Sequence, residues 1–272
     1  MTAASHSRLA IAHRVLDAHR HLPGLRVAFV TGSTAEGIAD ERSDLDMFLG
    51  FGALPPEAAL RAVRQGLDPN PPKWQIGSYD DGEFAVSILI DGVEVQYGCH
   101  TLASTDREID RLVAGDYVRA PEQKIAMGLG IAEPLLGDDV LLAWRRRLEP
   151  YPEALREAMF DAHMPKSAIW RTWPRIENRD AALWVRKECV EAGYLALGLL
   201  AAINGVWHSD FQFKRTDRFC ASLKLKPAGL ESLLDDLANA PIEVAVGSAR
   251  TLFAGIADLM GDSPRASLIR KL

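Results

Sequence analysis

The rhythm of apolar positions changes near Thr101. Before it, short apolar runs alternate with turn residues. After it, apolar residues recur at helical spacing. Residues 5–21 read as an amphipathic helix, with Leu9, Ala12, His13 and Leu16 in step and Pro23-Gly24 as the stop. Its histidines (His6, His13, His19, His21) form no clean i, i+4 pair with a carboxylate, so a solvated face is expected for them. The runs at 27–30 and 47–49 are short enough for buried strands. Pro55-Pro56 opens a helix to about residue 67, and the proline-rich 68–72 breaks the chain. Residues 73–79 and 83–90 predict two strands joined by a hairpin, and Asp91-Gly92 turns into an alternating strand at 93–97. Helices are expected at 101–114 (Thr101 or Ser104 as cap), 121–133, 139–148, 152–163, 166–173, 180–204, 227–237 and 241–260. Strands followed by a run of helices give an α+β fold class.

The chemistry gathers between the first two strands. Thr31-Gly32-Ser33 breaks the first apolar run, Gly37 follows, and Ser43-Asp44-Leu45-Asp46 leads into the second. Asp44 and Asp46 are two apart, so on a strand they share one face. Adjacent carboxylates repel unless a cation lies between them, and carboxylates on a rigid strand suit a hard ion such as magnesium. Gly32 and Gly37 stand where backbone approaches a ligand closely or takes positive φ. Backbone N–H groups and the Ser33 hydroxyl beside such an ion are what a triphosphate needs.

Composition narrows the classes. The chain has 272 residues, 48% of them hydrophobic, and a net charge of −6 from 31 basic and 37 acidic residues. That balance argues against a broad nucleic-acid footprint. Cys99, Cys189 and Cys220 are far apart and odd in number, which indicates neither a zinc site nor a disulfide framework; a reducing, cytoplasmic setting is expected. The N-terminus lacks the apolar core of a signal peptide, and no stretch is long enough for a membrane span.

Gly32-Ser33, ten intervening residues and then Asp44-Leu45-Asp46 resemble the signature of the nucleotidyltransferase superfamily, the polymerase-β-like fold. Gly37 and Ser43 match further common positions. The resemblance implies a mixed-sheet catalytic domain with flanking helices, at 1–137. An all-α bundle at 138–272 follows, because 132–138 looks like the passage into the helical domain. It implies Mg2+ on Asp44 and Asp46, with the nucleotide along Gly32, Ser33, Gly37 and Ser43. A third carboxylate comes from a later strand in such proteins. Val93-Glu94-Val95 fits it, with Asp91 as the fallback and Glu83 behind. As the strand continues to Gln96 rather than to an acid, one metal is better supported than two.

The strongest helical segment is 180–204, where Leu183, Trp184, Cys189, Tyr194, Leu197 and Leu200 suggest a central bundle helix ending at Asn204-Gly205. The segment 206–215 resembles one in kanamycin- and lincosamide-type nucleotidyltransferases. The resemblance makes Lys214 a phosphate ligand, with Arg215 in reserve. Arg171, Arg175, Arg179 and Arg186 read as surface charges, and Trp170, Trp173, Trp184 and Trp207 as core. The expectation is a Mg2+-dependent transfer of NMP, AMP from ATP first, to a hydroxyl of a small acceptor such as an antibiotic, with Glu94 as base. The rivals are a protein side chain or an RNA end as acceptor, or an antitoxin-like nucleotide-binding module without turnover. The long apolar helices permit a homodimer.

Overall fold

The computed structural model describes residues 1–116, 118, 123–210 and 213–272. The fold is α+β. The chain forms two compact units: Met1–Arg111 with Ile125–Pro150, and Leu112–Lys124 with Tyr151–Leu272.

The first unit is built on a mixed sheet. Its strands are β1 (Leu25–Thr31), β2 (Leu45–Phe51), β3 (Trp74–Ile76), β4 (Glu83–Ile90), β5 (Val93–Thr101) and β6 (Glu133–Leu136), in the order β3-β4-β5-β2-β1-β6. β2 and β5 run parallel and the other neighbours antiparallel. Alternation gives the sheet two unlike faces. On one, Val30, Leu45, Leu49, Val86, Ile88, Val95 and Tyr97 are buried under α1 (Ala3–His19) and α3 (Glu57–Leu67). Ile11, Ala12, Val15 and Leu16 supply the packed stripe of α1, and Leu60 that of α3. The opposite face carries Asp46, Gln96 and Ser87, then the stacked rings of Phe29, Phe48 and His100. A short helix, α2 (Gly32–Ala35), follows β1.

Several expectations change here. His19 is not on a solvated face: it is fully buried, with Nδ1 2.7 Å from the Val15 carbonyl and its ring edge-on to Tyr97. Residues 133–136 do not end a helix; they pair with β1 as β6. The helix before them is α5 (Gln123–Ile131), and Pro121 and Glu122 lie outside the described residues. α4 (Leu102–Ala114) begins where Thr101 Oγ1 accepts from the Ser104 N–H at 3.0 Å. α6 (Asp138–Arg147) packs on β1 and β6, so the first unit runs past the expected boundary at 137 and reaches Pro150.

The second unit is helical: α7 (Glu153–His163), α8 (Ile169–Thr172), α9 (Ala182–Asn204), α10 (Thr216–Ser222), α11 (Leu230–Asn239), α12 (Ile242–Leu259) and α13 (Pro264–Lys271). α9 is its axis, packed by α7, α11 and α12. Its buried stripe runs through Val185, Cys189, Ala192, Ala196 and Leu199 at alternating steps of four and three. Leu183 and Trp184 fall off that stripe and are exposed, unlike the expectation. Gly205 caps α9 in the left-handed region, as Asn-Gly implies. α10 and α13 were not foreseen; α10 is barely two turns long, and Pro264 starts α13 behind a Ser263 cap. Arg186 donates to the Leu237 and Ala240 carbonyls at the end of α11, a structural role. Among the described residues, no helix is long and apolar enough to cross a membrane.

Candidate functional site

β1 delivers the chain to its turn opposite Asp46, since Thr31 and Asp46 are partners across the two strands. Gly32 takes φ +62°, and a Cβ built there would stand 2.5 Å from Asp46 Oδ2. Any side chain would be strained by the backbone and would also strike the carboxylate. The turn closes on itself: Glu36 N–H donates to Gly32 O (3.1 Å), Gly37 N–H to Thr34 O (3.0 Å) and Ile38 N–H to Ser33 O (3.0 Å). Gly37 also has positive φ.

The loop from Gly37 to Asp44 is clamped by the first turns of α1. Thr2 N–H donates to Gly37 O (3.0 Å), Thr2 Oγ1 to Ala39 O (2.7 Å), and Ser5 Oγ accepts from Ala39 N–H (3.0 Å). Arg8, only 4% exposed, donates from Nε (2.8 Å) and Nη2 (2.5 Å) to Ser43 O, and from Nη2 to Glu41 O (3.4 Å). The guanidinium fork suits such convergent acceptors. The Ser43 hydroxyl donates to Asp40 Oδ1 (2.9 Å), and that bond, before others, holds the Asp40 carboxyl below its usual range. Ser43 thus braces the loop with both its side chain and its carbonyl.

Asp44 stands just ahead of β2 and Asp46 within it, both half-buried. Gln96 lies directly beside Asp46 on β5. Its Nε2 donates to Asp44 Oδ2 (2.9 Å) and reaches Glu94 Oε1 at 3.4 Å. Glu94 also accepts from Ser87 Oγ (2.7 Å) and is ion-paired with Lys73. The Lys73 hydrogen bond, then that of Ser87, pulls the Glu94 carboxyl below its usual range. Asp44, Gln96, Glu94 and Lys73 therefore form one connected row beside Asp46.

The fallback acids lie elsewhere. Asp91, in the β4–β5 turn, pairs with Arg14 of α1. Glu83 is the partner of His100 at the far end of β5, and burial first, then Glu108, raises its carboxyl. Lys214 is an exposed residue of the second unit, in the segment before α10, and Arg215 caps α10 with φ +63°. Phe211 and Gln212 of that segment lie outside the described residues.

Sequence reasoning missed Arg8, Lys73 and Ser87. Ser87 had a signal, a lone hydroxyl inside the apolar run 84–90. Arg8 and Lys73 had none, for their partners are carbonyls and an acid far along the chain.

Two carboxylates beside a turn that excludes side chains fit a magnesium ion, which takes one or two protein carboxylates and completes its shell with water and substrate phosphates. Among the described residues no three His, Cys, Asp or Glu groups gather to hold a metal. With Gln96 where a further acid would neighbour Asp46, the row suits one ion better than two. Farther along the same face, Phe29 and Phe48 stack at 4.7 Å, Phe48 and His100 at 4.8 Å, and Trp144 meets Phe48 edge-on. Burial lowers the His100 pKa to about 4, so this ring is neutral at pH 7.

No protein-family model matches the chain, and no curated protein does. Among solved structures, a nucleotidyltransferase-like protein from Exiguobacterium sibiricum 255-15 is similar at 10% identity, with a TM-score of 0.37 over 97% of this chain and 80% of that one. Similarity at that level assigns no activity.

Proposed function

We propose that this protein is a nucleotidyltransferase that moves a nucleoside monophosphate, AMP from ATP in the first instance, to a hydroxyl of a small acceptor. The observation that carries the reading is the Asp46 carboxylate packed against the side-chain-free backbone of Gly32, at the turn between β1 and α2. Two neighbouring carboxylates repel each other, and a cation bound beside them relieves that cost.

In this reading Asp44 and Asp46 hold Mg2+, which supplies charge neutralisation for the triphosphate when bound. The 32–37 turn and the Ser33 hydroxyl bind phosphate oxygens. Glu94 takes the proton of the acceptor hydroxyl. The acceptor oxygen then bonds to the α-phosphorus, and the bond from that phosphorus to the pyrophosphate oxygen breaks. Such catalysis is mostly positioning and electrostatics. The sequence resemblance supports an antibiotic-like acceptor, and nothing in the geometry of the first unit selects one.

A second reading is a nucleotide-binding module without turnover. The grip of Lys73 and Ser87 on Glu94 favours it, because a carboxylate so held is a weaker base. Titration with a non-hydrolysable ATP analogue, with and without Mg2+, tests both beside an Asp44→Ala, Asp46→Ala variant. Magnesium-dependent binding by the wild type alone supports a live site. Pyrophosphate release with an acceptor panel of aminoglycosides and lincosamides then separates transferase from module. No binding of any of the four nucleotides would remove both readings.

A further inference from the structure

Lys73 is delivered to the acidic row by a tethered segment. The proline-rich stretch 68–72 is fastened at its start, where Asp68 Oδ2 accepts from Leu89 N–H (3.0 Å) and Asp68 Oδ1 from Asn70 N–H (3.0 Å). Arg64 Nη1 donates to Asp68 O (3.1 Å) and also to Asn70 O. The stretch is fastened at its end as well, where Lys73 N–H donates to Ser87 O (2.8 Å). The backbone of Lys73 is thus pinned to the strand whose Ser87 hydroxyl holds Glu94. Its side chain, 45% exposed, ends on Glu94 Oε2.

Lys73 is ion-paired with Glu94, which Gln96 joins to Asp44. A divalent ion or a phosphate arriving here changes what Lys73 has to neutralise. An ammonium on a flexible stem, partly in water, can turn from a carboxylate to a phosphate oxygen at little cost.

We propose that Lys73 is the phosphate-binding cation of this site and, before nucleotide arrives, the resting counter-ion of Glu94. The inference rests on the nucleotidyltransferase reading and adds a residue to it. Lys73 competes with a metal ion for the acidic row in the free protein. Once Mg-nucleotide is bound, it turns to the triphosphate and leaves Glu94 to the acceptor. Two affinities should therefore move in opposite directions when the charge is removed, which a merely structural lysine would not produce.

The test is isothermal titration of wild type, Lys73→Met and Lys73→Arg with Mn2+ alone, and then with a non-hydrolysable ATP analogue in Mg2+. Lys73→Met should bind Mn2+ about fivefold tighter, the worth of a partly exposed ion pair. It should bind the Mg-analogue about tenfold weaker, the worth of a charge-assisted phosphate contact. Lys73→Arg should stay close to wild type on both. In a Glu94→Gln background the Mn2+ gain should vanish, and thermal midpoints identify any variant that fails to fold. If Lys73→Met leaves both affinities unchanged, or moves them the same way, the inference is overturned while the transferase reading stands. If wild type binds Mn2+ but no nucleotide, that reading falls and takes the phosphate role of Lys73 with it.

Discussion

Gly32 and Asp46 are in contact across the β1–β2 pair, and a Cβ at position 32 would push the Asp46 carboxylate out of its present place. The strand partner of Asp46 is Thr31, so the glycine falls where the chain leaves the sheet and passes over the carboxylate. The +62° backbone angle favours glycine by itself, and the 2.5 Å approach to Asp46 Oδ2 adds to it as long as the carboxylate keeps this position.

Gly32→Ala should therefore cost about 1–3 kcal/mol of stability, the usual scale for a side chain forced into positive φ. It should also weaken Mg-nucleotide binding, because the Asp46 carboxylate must turn aside to make room for the Cβ. Urea unfolding measures the first effect and analogue titration the second. A stable Gly32→Ala variant that binds normally would show that the close approach is not needed.

The Arg8 guanidinium is buried among the carbonyls of Ala4, Glu41 and Ser43. Arg8→Met keeps much of the stem and takes the side-chain donor from the Glu41 and Ser43 carbonyls. The cost should be about 2–3 kcal/mol, as for a removed charged donor whose buried acceptors stay unsatisfied. Hydrogen exchange should rise across residues 37–44 before it rises in β4 and β5. Equal acceleration throughout the first unit would show that Arg8 supports the whole fold and not this loop.

The readable part of the chain was the part whose signal is local. Gly32, Asp44 and Asp46 lie within one strand–turn–strand, so spacing alone set them on the same side. The ends of β6 were hidden, because Glu133-Pro134-Leu135-Leu136 has no strand alternation and becomes a strand by pairing with the free edge of β1. His19 misled for a related reason. Nothing beside it in sequence announces that Tyr97, on β5, closes over its ring. The ties of Lys73 to Glu94 and of Gln96 to Asp44 likewise join residues far apart in sequence, and one sequence carries no record of such pairs.

Burial pulls the His19 pKa down to about 4 from an ordinary 6.5, against a smaller opposing effect of the Val15 carbonyl. The unfolded chain then binds a proton below about pH 6.5 that the fold refuses until about pH 4. The stability tied to neutral His19 is fully present above pH 6.5 and declines as the pH falls. It is gone below about pH 4, a total near 3 kcal/mol. His19→Phe keeps the ring contact with Tyr97 and removes the proton site. Its urea midpoint should fall less than that of wild type between pH 7 and 4.5. Parallel curves for the two proteins would mean that His19 is not a source of acid lability.

Two glycines of the helical unit make opposite predictions for one substitution. In α9, a Cβ on Gly198 would stand 2.0 Å from Cδ2 of His163, a ring that is 1% exposed and held at Nδ1 by the Met159 carbonyl (2.9 Å). Such a ring cannot swing aside, so α7 must shift, and Gly198→Ala should cost about 1–3 kcal/mol, the range for overpacked cores. In α12, a Cβ on Gly247 would meet nothing within 4 Å, and the residue is exposed. There the alanine only restricts the unfolded chain and favours the helix, so Gly247→Ala should add up to about 1 kcal/mol. Thermal or urea unfolding of the two variants side by side reads both signs. A neutral Gly198→Ala would mean that α7 and α9 do not approach this closely, and a destabilised Gly247→Ala would mean that the outer face of α12 is covered.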